Sequence, residues 1–328
     1  MRSTTQLQVG CYSHLKMRLP VFQNRMNEEP DPLIPTWRQA LEWAAVSISS
    51  ALLVFWSVWG SIEAFYEGWY YRSLWMNLTL TMVQYLMPVL ILMVSAVAGV
   101  LWPRFGSLLH VGFALGVAAR FSTPSGRLLI ALPLAGLGTL YWFGRLRNKK
   151  LALYGLCGLP IATLILCGAV PAYRVSRRVD DGYRGARVVE GRGVRLRWAP
   201  AGPGWPERGS NWHQAQNTCE YLSSDGLSVG DTPKNIWRLP TADELVRSLS
   251  LHGANAGGVW DSRGVPSYQI TPDKESPLWD RYSPVIYWWT ATEVNEQRAW
   301  RFAYNGRAMA TIKSSGPAYY GFRCVTEP

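Results

Sequence analysis

From Trp75 to Trp102 the chain runs without a single charged side chain, and Trp stands at each end of the run. Crossing the hydrocarbon core of a bilayer takes ~20 apolar residues, and Trp is enriched at both interfaces. A helix that is apolar all round has no face to offer water, so a soluble fold does not accommodate this segment on its surface. Four more uncharged stretches accompany it, at 43–62, 105–119, 128–143 and 151–173. The stretches 105–119 and 128–143 are joined by RFSTPSGR, whose Ser, Pro and Gly read as the turn of a helical hairpin. The expectation is a multi-pass membrane region over 38–173 with about five helices, at 43–62, 75–102, 105–119, 128–143 and 151–173. A tail, 1–37, precedes it.

Charge divides the 328 residues in the same place. Residues 1–173 hold 13 Lys and Arg with 6 Asp and Glu, whereas residues 174–328 hold 20 and 16. At 48% hydrophobic and 17% charged, the chain is also too apolar for long-range disorder. Orientation follows from basic residues in short loops. With the N-terminus inside, the inner face collects Arg2, Lys16, Arg18, Arg25, Arg38, Arg104, Arg145, Arg147, Lys149 and Lys150. The outer face collects Arg72, Arg120, Arg127, Arg174, Arg177 and Arg178. Ten against six favours a cytoplasmic tail, and an odd number of spans then sets everything after Arg174 outside. Residues 1–37 contain no apolar core of a cleavable signal, so the first span serves as an uncleaved insertion signal.

The stretch 174–197 carries 8 basic and 3 acidic residues. Directly after a span, Arg174, Arg177 and Arg178 suit contact with anionic lipid headgroups, and 174–193 reads as an Arg-rich juxtamembrane linker. Nucleic acid is disfavoured as a partner, because Asp180, Asp181 and Glu190 interrupt the positive field and aromatic interleaving is thin. From Trp198 onward there are 12 basic and 13 acidic residues, so the net charge of +11 is not a property of the folded domain.

Residues 194–328 read as a mixed, loop-rich α+β domain. VRLRW alternates as a strand. Ser210 or Asn211 caps a helix whose apolar residues Trp212, Ala215, Cys219 and Leu222 follow the helical period. Thr241 and Glu244 have the spacing of a capping box for a second helix. A Gly-, Pro-, Asp- and Ser-rich insert occupies 253–284, VIYWWTAT follows as a strand, and Asn305-Gly306 predicts a type I′ hairpin turn. The chain closes on GFRCV as a last strand.

The series WHQAQNTCEYL, WRLPTADEL, YWWTAT, the Asn-Gly hairpin and the terminal GFRCV resembles the C-terminal domain family of Lcl-type collagen-like bacterial adhesins. That family is distantly similar to the formylglycine-generating-enzyme fold, itself related to C-type lectins. The resemblance covers about 194–326 and implies two helices, a twisted antiparallel sheet and much loop. The copper chemistry of the enzyme branch does not carry over, because that branch uses a close pair of cysteines. Here Cys219 and Cys324 lie 105 positions apart. His213 and His252 have no metal-ligand spacing, so neither metal nor cofactor is expected. Cys219 and Cys324 read instead as a disulfide if the domain faces an oxidising compartment, with two separate buried thiols as the alternative. Cys157 and Cys167 are plain apolar residues of the last span, and Cys11 is unpaired.

Aromatics crowd the last seventy residues. Trp260, Trp279, Tyr287, Trp288, Trp300 and Tyr319 are the ligand-binding candidates, because alternation sends Tyr287 and Trp288 to opposite faces of one strand and so exposes part of the set. The resulting reading is a membrane-anchored, extracytoplasmic, non-catalytic binding or sensing module for a glycan or protein ligand. A structural subunit of a membrane assembly and an enzyme of the formylglycine-generating superfamily are the alternatives. A transporter is disfavoured, since Glu42, Glu63 and Arg120 lie near span ends where they can snorkel.

Overall fold

A computed structural model describes residues 34–120, 123–205, 209–261 and 263–328. Most of the tail 1–37, its basic residues and Cys11 lie outside the described residues, as do Phe121 and Ser122 of the expected turn. The chain forms a helical N-terminal part followed by a sheet-rich C-terminal part. It divides into two compact units, 1–55 with 88–162 and 56–87 with 163–328.

Two helices are long and apolar enough to cross a membrane: α1, Thr36–Glu67, and α6, Lys149–Arg177. Both outrun the uncharged stretches that announced them, because a charge at a span end does not stop a helix. Gly68 stops α1: its N–H bonds the Ala64 carbonyl, and a Cβ there would stand 2.4 Å from that oxygen. The run 75–102 is not one straight helix. It consists of α2, Leu74–Leu80, continued by a π turn Thr81–Tyr85, and α3, Met87–Leu101, with a 63° bend between them. Pro88 explains the break at Leu86, since it supplies no amide hydrogen to the preceding turn and its ring crowds the carbonyl four residues back. Counting the bent pair as one span gives three.

The remaining two stretches fall short of that test. Residues 105–119 lie in α4, Pro103–Arg120, which carries Arg104 and Arg120 at its ends and His110 within. Residues 128–143 begin in a π turn, Arg127–Ala131, and end in α5, Leu132–Phe143. The two pack side by side as the expected hairpin. Close approach depends on small residues: a Cβ on Gly106 would lie 2.1 Å from the Gly99 nitrogen. Glu42 corrects the expectation that it snorkels. Because α1 begins at Thr36, Glu42 sits well inside the helix, is 1% exposed and packs against Gly144, with Arg145, Lys149 and Arg38 as the nearby cations. His110, which no sequence signal marked, is also buried. Its Nδ1 meets the Gly106 carbonyl at 2.8 Å and its ring lies 5.2 Å from that of Tyr141.

The C-terminal part is built on two sheets. One joins β1, Arg187–Gly191, to β2, Val194–Trp198, and closes on a short last strand, β11, Val325–Thr326. Two small hairpins follow in the insert: β3, Ser250–Leu251, with β4, Ala254–Asn255, and β5, Val259–Trp260, with β6, Pro266–Ser267. The larger sheet has the order β10-β7-β8-β9. In it β7 is Tyr287–Asn295, β8 is Arg298–Ala303, β9 is Ala308–Ile312, and β10, Tyr320–Gly321, lies parallel to β7. Helices α7, Trp212–Tyr221, and α8, Ala242–Ser248, start in complete capping boxes, Asn211 with Gln214 and Thr241 with Glu244.

Two expectations about the strands and turns are corrected here. GFRCV is not one strand. Gly321 ends β10, Val325 begins β11 of the other sheet, and the segment between them crosses from sheet to sheet. Arg323 holds that crossing by donating to the carbonyls of Ala199 and Leu278, at 2.7 Å each. The Asn305-Gly306 turn has positive φ only at Gly306, and the Gly306 N–H bonds the Ala303 carbonyl at 2.9 Å. That is a three-residue loop with glycine in the left-handed position, not type I′. The type I′ signature falls instead on His252 and Gly253, both with positive φ, between β3 and β4.

The stretch 174–193 is not a free tether. Helix α6 continues through Arg177, Arg184 pairs with Asp180 and Asp280 at 2.9 Å each, and Arg187 to Gly191 form β1. The acids of this stretch, Asp180, Asp181 and Glu190, are the partners of Arg184, Arg187 and Arg195. Cys219 and Cys324 form a disulfide with Cα atoms 5.6 Å apart, joining α7 to the crossing segment.

Candidate binding cavity

Within the second compact unit, the last turns of α1 and α6 and the loops after β3 and β6 enclose a cavity of about 510 Å³. Small-molecule sites commonly run ~300–1,000 Å³. Its wall is of two kinds. Ile62 and Phe65 from α1, with Val170 and Pro171 from α6, make one side apolar. Arg174, Arg177 and Arg178 make the other cationic, His252 stands on the same side, and the Tyr304 ring contributes between them.

Local sequence explains how each group is held. On α6, Val170, Arg174 and Arg177 stand at i, i+4 and i+7, so one helical stripe passes from apolar to charged. Arg178 is the exception among the three expected headgroup contacts. It is buried, with its guanidinium 2.9 Å from Asp273 and 5.0 Å from the centre of the Tyr304 ring. An arginine committed to an internal ion pair is not available to a lipid surface, which corrects that expectation for Arg178. Arg174 and Arg177 remain exposed. Arg281 caps the end of α6 by donating to the Arg178 carbonyl at 2.7 Å and to Val175 at 3.3 Å.

His252 enters the wall from the tip of the β3–β4 hairpin with a φ of 50°. Buried Glu275 fixes it there: one carboxylate oxygen accepts from the His252 backbone N–H, and the other lies 3.2 Å from Nδ1. Behind this wall Lys274 is 0% exposed, with its ammonium donating to the Ser283 carbonyl and lying 5.8 Å from the centre of the Tyr70 ring. Burial, with Arg178 nearby, lowers its pKa from the usual lysine range to about 7, against the opposing pull of Asp280 and Asp273.

None of the six candidate aromatics lines this cavity. Trp279 and Trp288 stack on each other at 3.8 Å in the core, and Trp198 and Trp205 pack on Trp288. Tyr287 is buried on the opposite face of β7, where the Arg301 guanidinium sits 3.9 Å from its ring centre and 4.1 Å from that of Tyr320. Alternation does separate the two faces, but this end of β7 is covered on both, so Trp279, Tyr287 and Trp288 are withdrawn as surface platforms. Trp260 and Trp300 form a half-buried edge-to-face pair at 5.2 Å. Tyr319 is 42% exposed and packs edge-on against Tyr320. Tyr66, His252 and Asp273 were not legible as site residues. Asp273 lies in the loop-rich insert, 95 positions from the arginine it pairs with, and no local spacing announces such a partner.

Among the described residues, no group of three His, Cys, Asp or Glu stands close enough together to hold a metal ion. Asp273 is bound to Arg178 and His252 to Glu275, so the cavity sets the positive charge of its arginines beside apolar surface. Comparison with protein-family models and with curated proteins finds no match.

Proposed function

We propose that this chain is a multi-pass membrane protein whose C-terminal domain works as a non-catalytic binding module, with the cavity at the ends of α1 and α6 as its binding site. The observation that carries this reading is the junction of an apolar wall with two exposed arginines in one ligand-sized space. The helix-then-sheet order and the loop-rich core support a formylglycine-generating-enzyme or C-type-lectin-like reading of 194–328, in line with the resemblance to the Lcl-type family. The Cys219–Cys324 disulfide and the ten-to-six charge count support an extracytoplasmic domain.

Purified full-length protein is expected to retain a small molecule that native mass spectrometry detects, and Val170→Trp, which plugs the cavity mouth, is expected to lose it. A protein that emerges empty under every extraction condition overturns the binding reading. Sidedness is tested separately by reporter fusions after Tyr173 and Pro328: activity only from the cytoplasmic reporter at both sites reverses the orientation.

A further inference from the structure

We infer that the cavity takes the head of an anionic membrane lipid, with its phosphate on Arg174 and Arg177 and its chains leaving along Ile62, Phe65 and Val170. This rests on the binding reading above and gives it a ligand class.

Charge makes the first part of the case. Asp273 is the one acid that lines this cavity among the described residues, and Arg178 already neutralises it. Glu275 is turned to His252. Arg174 and Arg177 form no ion pair with any acid of the described chain, so their exposed guanidinium groups are open to an anionic ligand. Guanidinium groups offer paired N–H donors to a phosphate, and at a bilayer surface each also gains from anionic headgroups.

Placement makes the second. Ile62, Phe65 and Val170 lie in the closing turns of the only two single helices of the described chain that are long and apolar enough to span a membrane. Ile62 and Val170 are both largely exposed, so this side of the cavity is open where the spans meet lipid. At ~1.5 Å of rise per residue, Arg174 and Arg177 lie about 6 and 10 Å further along α6 than Val170. An apolar stretch that gives way to cations over that distance is the order of a lipid read from acyl chain to phosphate.

A soluble phosphate matches only the cationic half and leaves the apolar half facing water, which favours a lipid source. The cavity is large enough for a headgroup and the first methylenes, while the rest of the chains stay in the bilayer. His252 adds a third polar group on the same wall. Buried Glu275 holds its backbone N–H and its ring at the tip of the β3–β4 hairpin.

The test uses the full-length protein, delipidated in a neutral detergent and exposed to equal amounts of phosphatidylglycerol and phosphatidylcholine, with bound lipid counted by native mass spectrometry. Wild type is expected to enrich phosphatidylglycerol on the order of ten- to thirty-fold, the preference that two arginines at an anionic surface supply. The Arg174→Gln/Arg177→Gln variant is expected to fall to near parity with an unchanged melting temperature. Arg120→Gln, at the end of α4, is expected to keep the enrichment. Equal loss in Arg120→Gln, or undiminished enrichment in the double variant, overturns the inference while leaving a binding module intact. Displacement of the lipid by glycerol 1-phosphate at comparable concentration overturns the lipid source. Wild type that binds neither lipid nor any other molecule overturns the binding reading itself.

Discussion

The Tyr304 hydroxyl donates to the Tyr66 carbonyl at 3.1 Å, joining two residues 238 positions apart. Tyr304 stands in the tight loop between β8 and β9, and Tyr66 in the last turn of α1. The rings also meet, with centroids 5.3 Å apart, and the Arg178 guanidinium covers Tyr304 from another side. One side chain thus fixes the end of a membrane-length helix to the hairpin beside the cavity.

Tyr304→Phe keeps the ring and removes only that donor. The bond is partly buried, so the loss is expected to be about 1 kcal/mol, the ordinary net value of such an interaction. Chemical denaturation of the full chain in detergent, followed by tryptophan fluorescence, measures it. Tyr304→Ala also removes the ring and is expected to cost several-fold more. Equal losses in the two variants contradict this division.

Thr241→Ala is expected to destabilise the chain by ~1 kcal/mol, because it takes away the side chain that accepts from the first turn of α8. The Thr241 hydroxyl accepts from the Glu244 N–H at 3.2 Å, and Glu244 returns the bond to the Thr241 N–H at 2.8 Å. Burial alone would raise the Glu244 pKa, but the Arg238 guanidinium and the Thr241 N–H outweigh it and hold the carboxyl below its usual value. An unchanged unfolding midpoint in Thr241→Ala means the hydroxyl contributes nothing.

Cys219 and Cys324 close a loop of 105 residues, and the chain-entropy account gives ~4.7 kcal/mol for a loop near that size. Cys219→Ser and Cys324→Ser are each expected to lower stability by a large and similar amount. The double variant is expected to cost little more than either single one, since both changes remove one bond. Additive losses, or two free thiols in protein alkylated inside intact cells, refute the link as a working feature of the protein.

Local chemistry was readable wherever neighbours in sequence carry the interaction. Thr241 and Glu244 are three apart and sit on the same first turn, so their capping box follows from the residues themselves. For the first helix the sequence left the cap open between Ser210 and Asn211, and the structure assigns it to Asn211 with Gln214. Uncharged runs marked α1 and α6 for a similar reason, because span length is a property of a continuous segment. What escaped depends on distant partners. Whether Trp288 is covered depends on Trp198, Trp205 and Trp279, which arrive from three other segments, and alternation along β7 reports only which face each residue takes. Arg178 differs from Arg174 and Arg177 by being buried against Asp273 and the Tyr304 ring. The cavity has the same origin: it gathers residues from 62–66, 170–178, 251–252, 270–273 and 304–305, and no one of these segments carries a pattern that predicts the others.

Lys274 provides the pH test. In the unfolded chain its ammonium titrates near 10.5, and in the folded protein burial, reinforced by Arg178, depresses that value to about 7. The side chain has the Ser283 carbonyl as its hydrogen-bond acceptor, the Tyr70 ring beside it, and Asp280 and Asp273 as the acids that favour its charge. Below pH 7 both states hold the proton, and the folded state carries the full cost of a buried ammonium. Between pH 7 and 10.5 the unfolded state holds a proton that the folded state has released, so stability rises with pH across this window. Lys274→Met keeps the length and removes the charge. It is expected to be more stable than wild type at pH 6, and that advantage is expected to shrink steadily as pH rises to 9.5. Other titrating groups shift both proteins alike, so the difference between their unfolding midpoints isolates Lys274. A gap that stays constant from pH 6 to 9.5 means the ammonium is not penalised in the folded state, and a gap that widens with pH reverses the sign of the argument.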